Sequence, residues 1–350
     1  MEVITVVIKN YKSINEMETG NMIDRKESNK SKHLIVDFMH LVHRALYVRT
    51  YLSYEIPKKD VKMISEKECD INILGKWFPY FIDGETISLT ENGVNIRTTT
   101  IYMVIKFIEG MKKDLEADGS NVCVTICFDS KKNNRKESNH EYKAERVSKL
   151  NNNNHSDVEV IEHLLYKAGY NCLKIPGYEA DDLIYWANAK YKEQYDETYI
   201  MTNDMDLISN VGGSTKLMIR RGKEKKYIEV NESNADELCE KVYKIKMPYS
   251  SIILYKSTVG DKSDNIKGIK GFGGKAFERM LERIDCSGLL QWQKVKKVIE
   301  EYDFSNEDRE SALASLEMVK PQDIDLEEIT RPSAGHNAKD VYEELGITKI

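Results

Sequence analysis

Short apolar runs alternate along this chain with longer stretches in which apolar residues recur every three to four positions. His33–Phe38 (HLIVDF) and Val122–Phe128 (VCVTICF) read as buried strands, the first closing on Asp37 and the second followed at once by Asp129. Asn171–Ile175 and Thr198–Thr202 read as two more. Between them, Thr99–Leu115 sets Ile101, Val104, Ile105, Ile108 and Met111 on one helical face. His40–Tyr51, Val158–Ala168 and Asp181–Tyr191 are further predicted helices. Strands alternating with helices predict an α/β fold, a mainly parallel central sheet with helices on both faces.

The remaining segments are less regular. Val3–Ile8 is strand-like, and Asn21–Lys32 is polar enough to be a flexible link. Pro57–Thr98 carries hairpin-like turns at Asp83-Gly84 and Asn92-Gly93. Ser130–Lys149 is polar and basic, and the tetrad Asn151–Asn154 has the low complexity of a segment without fixed order. Lys216–Val230 reads as an antiparallel hairpin with Arg220-Arg221-Gly222-Lys223 at its turn, and the chain from Ser250 onward reads as helices.

Charge and cysteine usage narrow the class. With 52 basic and 58 acidic residues the net charge is −6, which speaks against a uniformly basic nucleic-acid binder. A protein that cages cations must concentrate carboxylates, however, and those pull the total negative. The six cysteines form no CxxC pair and have no histidine at zinc-like spacing, so they are read as thiols of a reducing compartment. No apolar run is long enough to span a membrane and no signal-peptide pattern opens the chain, so the expected location is the cytoplasm, that of a host cell for a viral protein.

The acids carry the chemistry. Asp37 and Asp129 follow strands, Glu179, Asp181 and Asp182 open a helix in GYEADDLI, Asp204 and Asp206 follow a strand in TNDMDL, and Asp261 and Asp264 sit in GDKSDN. In an open parallel sheet, residues at the carboxyl ends of the strands meet along one edge. Any one of these acids alone reads as a helix cap or turn residue. Gathered together they would repel and hold protons unless cations neutralised them. Oxygen donors suit Mg²⁺, and two ions about 3.5–4 Å apart are a standard arrangement for phosphodiester hydrolysis.

Two features point to nucleic acid. Gly268–Ala276 (GIKGFGGKA) is glycine-rich and leads into a helix, so its backbone can approach a phosphate, with Gly268, Gly271, Gly273, Lys270 and Lys275 the expected contacts. Between Asp129 and Glu179 lie Lys131, Lys132, Arg135, Lys136, Lys143, Arg146 and Lys149, with Tyr142 interleaved. Such residues grip phosphates, and the ring can stack on an unpaired base. Arg220, Arg221, Lys223, Lys225 and Lys226 form a second basic cluster, for which a solvated hairpin tip is an equally good reading.

Together these motifs resemble the 5′-nuclease (flap endonuclease) family, including the 5′-nuclease domains of bacterial DNA polymerase I and the stand-alone 5′ nucleases and RNase H of bacteriophages. The resemblance covers roughly His33 to Gly274 and weakens towards Ile329. It rests on Asp37 with Arg44 seven residues on, CFD ending at Asp129, EYKAER at 141–146, PGYEADD at 176–182, TNDMD at 202–206, GDKSDN at 260–265 and GIKGFGGKA at 268–276. It implies a PIN-like nuclease core at 33–215 with a helical arch at about 130–157. A helix–three-turn–helix region would occupy 216–330, an extension 1–32 and a tail 331–350. Asp37, Asp129, Glu179 and Asp181 would hold the first metal, and Asp182, Asp204, Asp206, Asp261 and Asp264 would complete or support the second. Lys143, Asp181 and Asp204 would be catalytic. Arg44, Arg135, Tyr142, Lys143 and Arg146 would contact DNA together with the glycine loop.

The cofactors implied are two Mg²⁺ ions, for which Mn²⁺ can substitute, and K⁺ at the helix–three-turn–helix. The implied substrates are DNA with a 5′ flap or 5′ end and RNA–DNA hybrids, in primer removal alongside replication proteins and away from membranes. Departures are Met205 between the acids of DMD, Lys267 near a position that is commonly proline, a long segment at Thr50–Thr98 and the extension Met1–Lys32. With no polymerase region following, the expectation is a stand-alone nuclease. Its Lys, Asn and Ile richness suits an AT-rich genome such as that of a bacteriophage. The competing readings are a PIN-type single-strand ribonuclease and a non-catalytic DNA-binding protein on the same fold.

Overall fold

The structure is a computed structural model that describes residues 30–48, 52–145, 150–220 and 226–324. The readings made for residues 1–29 and 325–350, and for Arg146, Lys149, Arg221, Lys223 and Lys225, fall outside those residues.

The elements follow the chain as β1 (Ser31–Asp37), α1 (Phe38–Ala45), β2 (Leu52–Pro57), β3 (Val61–Met63), β4 (Glu68–Ile73), β5 (Lys76–Phe81), β6 (Ile87–Leu89) and β7 (Gly93–Thr98). Next come α2 (Thr100–Glu116), β8 (Asn121–Cys127), α3 (Asn134–Ser138), α4 (Asn152–Lys167), β9 (Asn171–Leu173), α5 (Ala180–Tyr191), β10 (Glu197–Met201), β11 (Thr215–Ile219) and β12 (Ile228–Val230). Five helices close the described chain: α6 (Ala235–Tyr243), α7 (Ile252–Thr258), α8 (Gly274–Leu281), α9 (Trp292–Glu301) and α10 (Asn306–Val319).

The central sheet runs β12-β11-β10-β1-β8-β9, parallel throughout except for the antiparallel edge strand β12. β1 lies in the middle and is buried from Lys32 to Asp37 on both faces, which explains why Leu34–Val36 is an unbroken apolar run rather than an alternation. On one face Leu34 and Val36 pack with α1, α2 and α4, and on the other Ile35 packs with α5 and the C-terminal helices. The parallel sheet with helices on both faces is the fold expected from the pattern.

The long segment after α1 folds into two small antiparallel sheets, β2-β7-β6 and β3-β4-β5. Alternation drives the second one: Cys69, Ile71 and Ile73 of β4 and Phe78 and Tyr80 of β5 are buried, while their neighbours face outward. Asn92-Gly93 closes the β6–β7 hairpin as expected. Asp83-Gly84 does not close a hairpin. It joins two different sheets, with Asp83 accepting backbone hydrogen bonds from Glu85, Thr86 and Ile87.

The asparagine tetrad is ordered, against the low-complexity reading. Asn151 caps α4 in a reciprocal capping box with Asn154. The amide of Asn153 accepts from Phe81 N at 2.8 Å and donates to Phe81 O and Thr86 Oγ1, tying the helix start to β5 and β6. The tetrad satisfies the free backbone groups of a helix start and an edge strand, a role composition alone does not reveal.

Candidate active site

The carboxyl ends of β1, β8 and β10 lie side by side, and an acid stands at each. Asp37 ends β1 and caps α1, accepting from His40 N at 3.2 Å. Asp129 follows β8 and accepts from Ala180 N at the start of α5 at 2.9 Å. Asp204 follows β10 and caps the short 3₁₀ turn Met205–Asn210. The Thr202 hydroxyl links two of these strand ends, donating to Asp37 Oδ2 at 2.8 Å and accepting from Asp204 N at 3.0 Å. With Asp181 of α5, these acids line an open cleft of about 1160 Å³.

Their electrostatics are those of an uncompensated cluster. Burial and the repulsion of Asp129 push the Asp37 carboxyl up to about 7. Burial, then Asp204 and Asp37, raise Asp181 well above the carboxylate range. Hard oxygen donors that hold protons for want of positive charge fit a divalent cation. Asp206, Asp261 and Asp264 form a neighbouring group whose oxygens lie within 4.8 Å of one another. That group holds a cation of the chain's own: the Lys256 ammonium donates to Asp206, and to Asp261 Oδ2 at 2.5 Å. Lys256 is 6% exposed, and the sequence reading missed it. The signal was present, as one charge inside the otherwise buried run of α7, five residues before Asp261.

Lys143 enters the cleft from the polar segment after β8. It takes a left-handed backbone (φ 52°) and donates from Nζ to Glu179 Oε1 at 2.6 Å, while its backbone N–H bonds to Asp264 O. Burial alone would lower this ammonium, but Tyr142, Glu179, Asp181 and Asp264 around it raise it and keep it charged. Glu179 is lowered: its burial is outweighed by Lys143 and Arg135.

Three expectations need correction. Tyr142 is 4% exposed and spends its hydroxyl on Glu179 Oε2, so its ring cannot stack on a base. Arg135 is 5% exposed and turns away from solvent, bridging Glu179 and Asp182 at 2.7–2.8 Å. Asp182, 1% exposed, lies behind the cleft wall. Its oxygens accept two bonds from Arg135, two from Gln322 and one from Glu179 N, which leaves no room for a metal.

Arg44 lines the cleft. Its guanidinium lies over the Phe107 ring at 4.1 Å and the Tyr227 ring at 5.0 Å. Arg220 also lines the cleft. Between α7 and α8, Gly260 and Gly268 press together at positive φ, and a Cβ on Gly268 would sit 2.5 Å from Gly260 N. That close approach fixes the loop, while Lys270, Gly271, Gly273 and Lys275 remain exposed.

Residues 78–242 match the family model described as a 5′-3′ exonuclease, N-terminal resolvase-like domain. The chain is 28% identical to DNA polymerase I of Caldicellulosiruptor bescii over 247 residues, 67% of this chain and 27% of that one. It is 29% identical to the 5′-3′ exonuclease of Aquifex aeolicus over 176 residues, 49% of this chain and 55% of the other. Over these segments the chain is similar to 5′ nucleases. It spans about a quarter of the polymerase and just over half of the exonuclease it matches. Its fold is the PIN-like 5′-nuclease fold. A bacteriophage T5 flap endonuclease, in a pseudo-enzyme–product complex with DNA and metal ions, superposes with a TM-score of 0.53 at 16% identity, covering 90% of this chain and 99% of that one. The T5 protein co-crystallised with metal ions gives 0.53 at 14% identity, covering 82% and 89%.

Proposed function

We propose that this protein is a metal-dependent, structure-specific 5′ nuclease, a 5′→3′ exonuclease and flap endonuclease acting on branched DNA. The observation that carries the reading is the convergence of Asp37, Asp129, Asp181 and Asp204 from separate strand ends and a helix start into one cleft beside Lys143. In this reading Asp37, Asp129 and Asp181, bordered by Glu179, hold one divalent ion, and Asp204, Asp206, Asp261 and Asp264 serve a second. Two bound Mg²⁺ ions would lower the pKa of an attacking water and neutralise charge at the scissile phosphate.

The chain's own groups supply the rest. The Lys143 ammonium, held by Glu179, points a fixed positive charge at the phosphate position. Arg44, braced on two rings, holds a neighbouring phosphate. The exposed backbone and lysines of 270–275 seat the duplex, which sets where the cut falls. Mn²⁺ is expected to substitute for Mg²⁺, and K⁺ to bind at the glycine loop. RNA–DNA hybrids are expected as further substrates, in primer removal. Among the described residues no helix is long and apolar enough to cross a membrane.

The test is cleavage of a 5′-labelled flap duplex, beside single-stranded RNA and blunt duplex, with Mg²⁺ and with EDTA. Metal-dependent cutting at the flap junction, lost in Asp181→Asn with flap binding retained, is the expected result. Preference for the RNA would move the assignment to a PIN-type ribonuclease. Equal cutting by Asp181→Asn would remove the metal assignment.

A further inference from the structure

The chain beyond α10 does something the cleft alone does not explain. After Val319 it crosses the back of α5 instead of leaving the surface. Lys320 O accepts from Arg135 Nη2 at 2.8 Å. Gln322 donates to Asp182 twice, from its backbone N–H at 2.9 Å and its side-chain amide at 3.1 Å. Gln322 O in turn accepts from Trp186 Nε1 at 2.5 Å, and Asp323 O accepts from the Tyr178 hydroxyl at 2.9 Å. Lys320 lies over the Trp292 ring. Three residues, Lys320, Gln322 and Asp323, thus make five specific hydrogen bonds to α3, α5 and the turn before α5.

These bonds lead to the cleft. Gln322 fixes Asp182, and Asp182 holds the Arg135 fork. The same guanidinium donates to Glu179 Oε2 at 2.8 Å, and the other oxygen of Glu179 holds Lys143 at 2.6 Å. Each link is a charge-assisted bond with at least one buried partner, the kind that fixes orientation rather than merely filling space. At its other side α10 grips the glycine loop. Ser311 Oγ donates to Gly268 O at 2.6 Å, and Ser315 Oγ accepts from Gly268 N at 3.1 Å. One helix and its extension therefore touch both the loop assigned to the duplex and the residues that support Lys143.

We propose that residues 320–322 are a positioning brace, with Gln322 its principal positioning residue, that acts through Asp182, Arg135 and Glu179 to hold Lys143 at the reacting phosphate. The brace rests on the nuclease reading above. Its loss slows the chemical step and leaves flap affinity nearly unchanged, because no brace residue faces the cleft.

The test is a double-mutant cycle on the full chain, read as single-turnover cleavage of a 5′-flap duplex with Mg²⁺. Gln322→Pro removes both donors to Asp182 and is expected to slow cleavage roughly tenfold, and Gln322→Ala, which keeps the backbone donor, about threefold. In a Lys143→Ala background each change is expected to cost less than about a factor of two, since the group the brace positions is gone. Flap affinity should stay within about twofold of wild type. Equal slowing in both backgrounds, or no slowing by either Gln322 variant, overturns the brace. Should Gln322→Pro fail to fold, as thermal unfolding will reveal, Gln322→Ala alone decides. If wild type does not cleave, the nuclease reading falls and the brace with it; if Lys143→Ala cleaves like wild type, the role of Lys143 and the brace fall while the nuclease reading stands. A slow Lys143→Ala with additive Gln322 effects removes the brace alone.

Discussion

Replacing Lys256 by methionine tests the electrostatic reading of the second carboxylate group. The ammonium is buried and donates to both Asp206 and Asp261. Removing one member of a buried ion group costs about 3–5 kcal/mol, because the remaining charges stay buried without a partner. Here the cost is smaller. The Asp206 side chain is 33% exposed, and burial and Asp204 already raise its carboxyl to about 7, so water and proton uptake relieve part of the strain. About 2–3 kcal/mol remains, a fall of about 3–4 °C in the unfolding midpoint for a chain of this size. Mg²⁺ bound to the same oxygens replaces the missing charge, so the difference should shrink below about 1 kcal/mol when the ion saturates. The assay is scanning calorimetry of wild type and Lys256→Met at about pH 8, with EDTA and with Mg²⁺. Equal midpoints in EDTA would refute Lys256 as the resident counter-charge. A deficit that Mg²⁺ leaves untouched would refute the claim that ion and ammonium share these oxygens.

Three further outcomes follow from the geometry. The Asp37 carboxyl keeps its proton up to about 7 against an ordinary 3.8, so without metal its contribution to stability is complete below the ordinary value and is lost as pH rises through 7. Metal needs the ionised form, so the Mg²⁺-induced rise in midpoint should grow across that window, and a pH-independent rise would contradict the assignment. Gly268→Ala forces a Cβ to 2.5 Å from Gly260 N at a φ of 62°, which should cost about 2 kcal/mol or more and weaken duplex binding. Circular-dichroism melts and flap-binding titrations measure both, and a neutral variant would deny the close approach. Asn153→Ala removes the amide that pins β5 and β6 and should cost about 2–3 kcal/mol with faster amide exchange at Phe81. Unchanged exchange there would mean that the clamp does not hold the strand.

What the sequence disclosed was the part whose physics is local or periodic. The unbroken apolar run before Asp37 and the one before Asp129 marked buried parallel strands, and acids at strand ends marked an edge. Arg135 and Tyr142 were misjudged for a shared reason. In a basic run they look like surface groups, and only the fold reveals that Glu179 and Asp182, more than thirty residues away, take up their donors. Asp182 was misjudged by adjacency, since neighbouring positions at the start of a helix face different directions and Asp181 alone enters the cleft. The two small sheets between α1 and α2 were legible only as fragments, because their pairing depends on burial against α4.

The acids of the cleft are scattered along the chain from Asp37 to Asp264 and meet only where the strand ends and α7 are all in place. Pairings so distant in sequence are closed late in folding, after the loops between them have paid their entropy. A cation bound at these acids would therefore stabilise contacts that the folding transition state has yet to make, with an asymmetric kinetic signature. Mg²⁺ should leave the refolding rate almost unchanged while slowing unfolding nearly in full proportion to its affinity, which makes the ion a lock on the finished molecule rather than a template for building it.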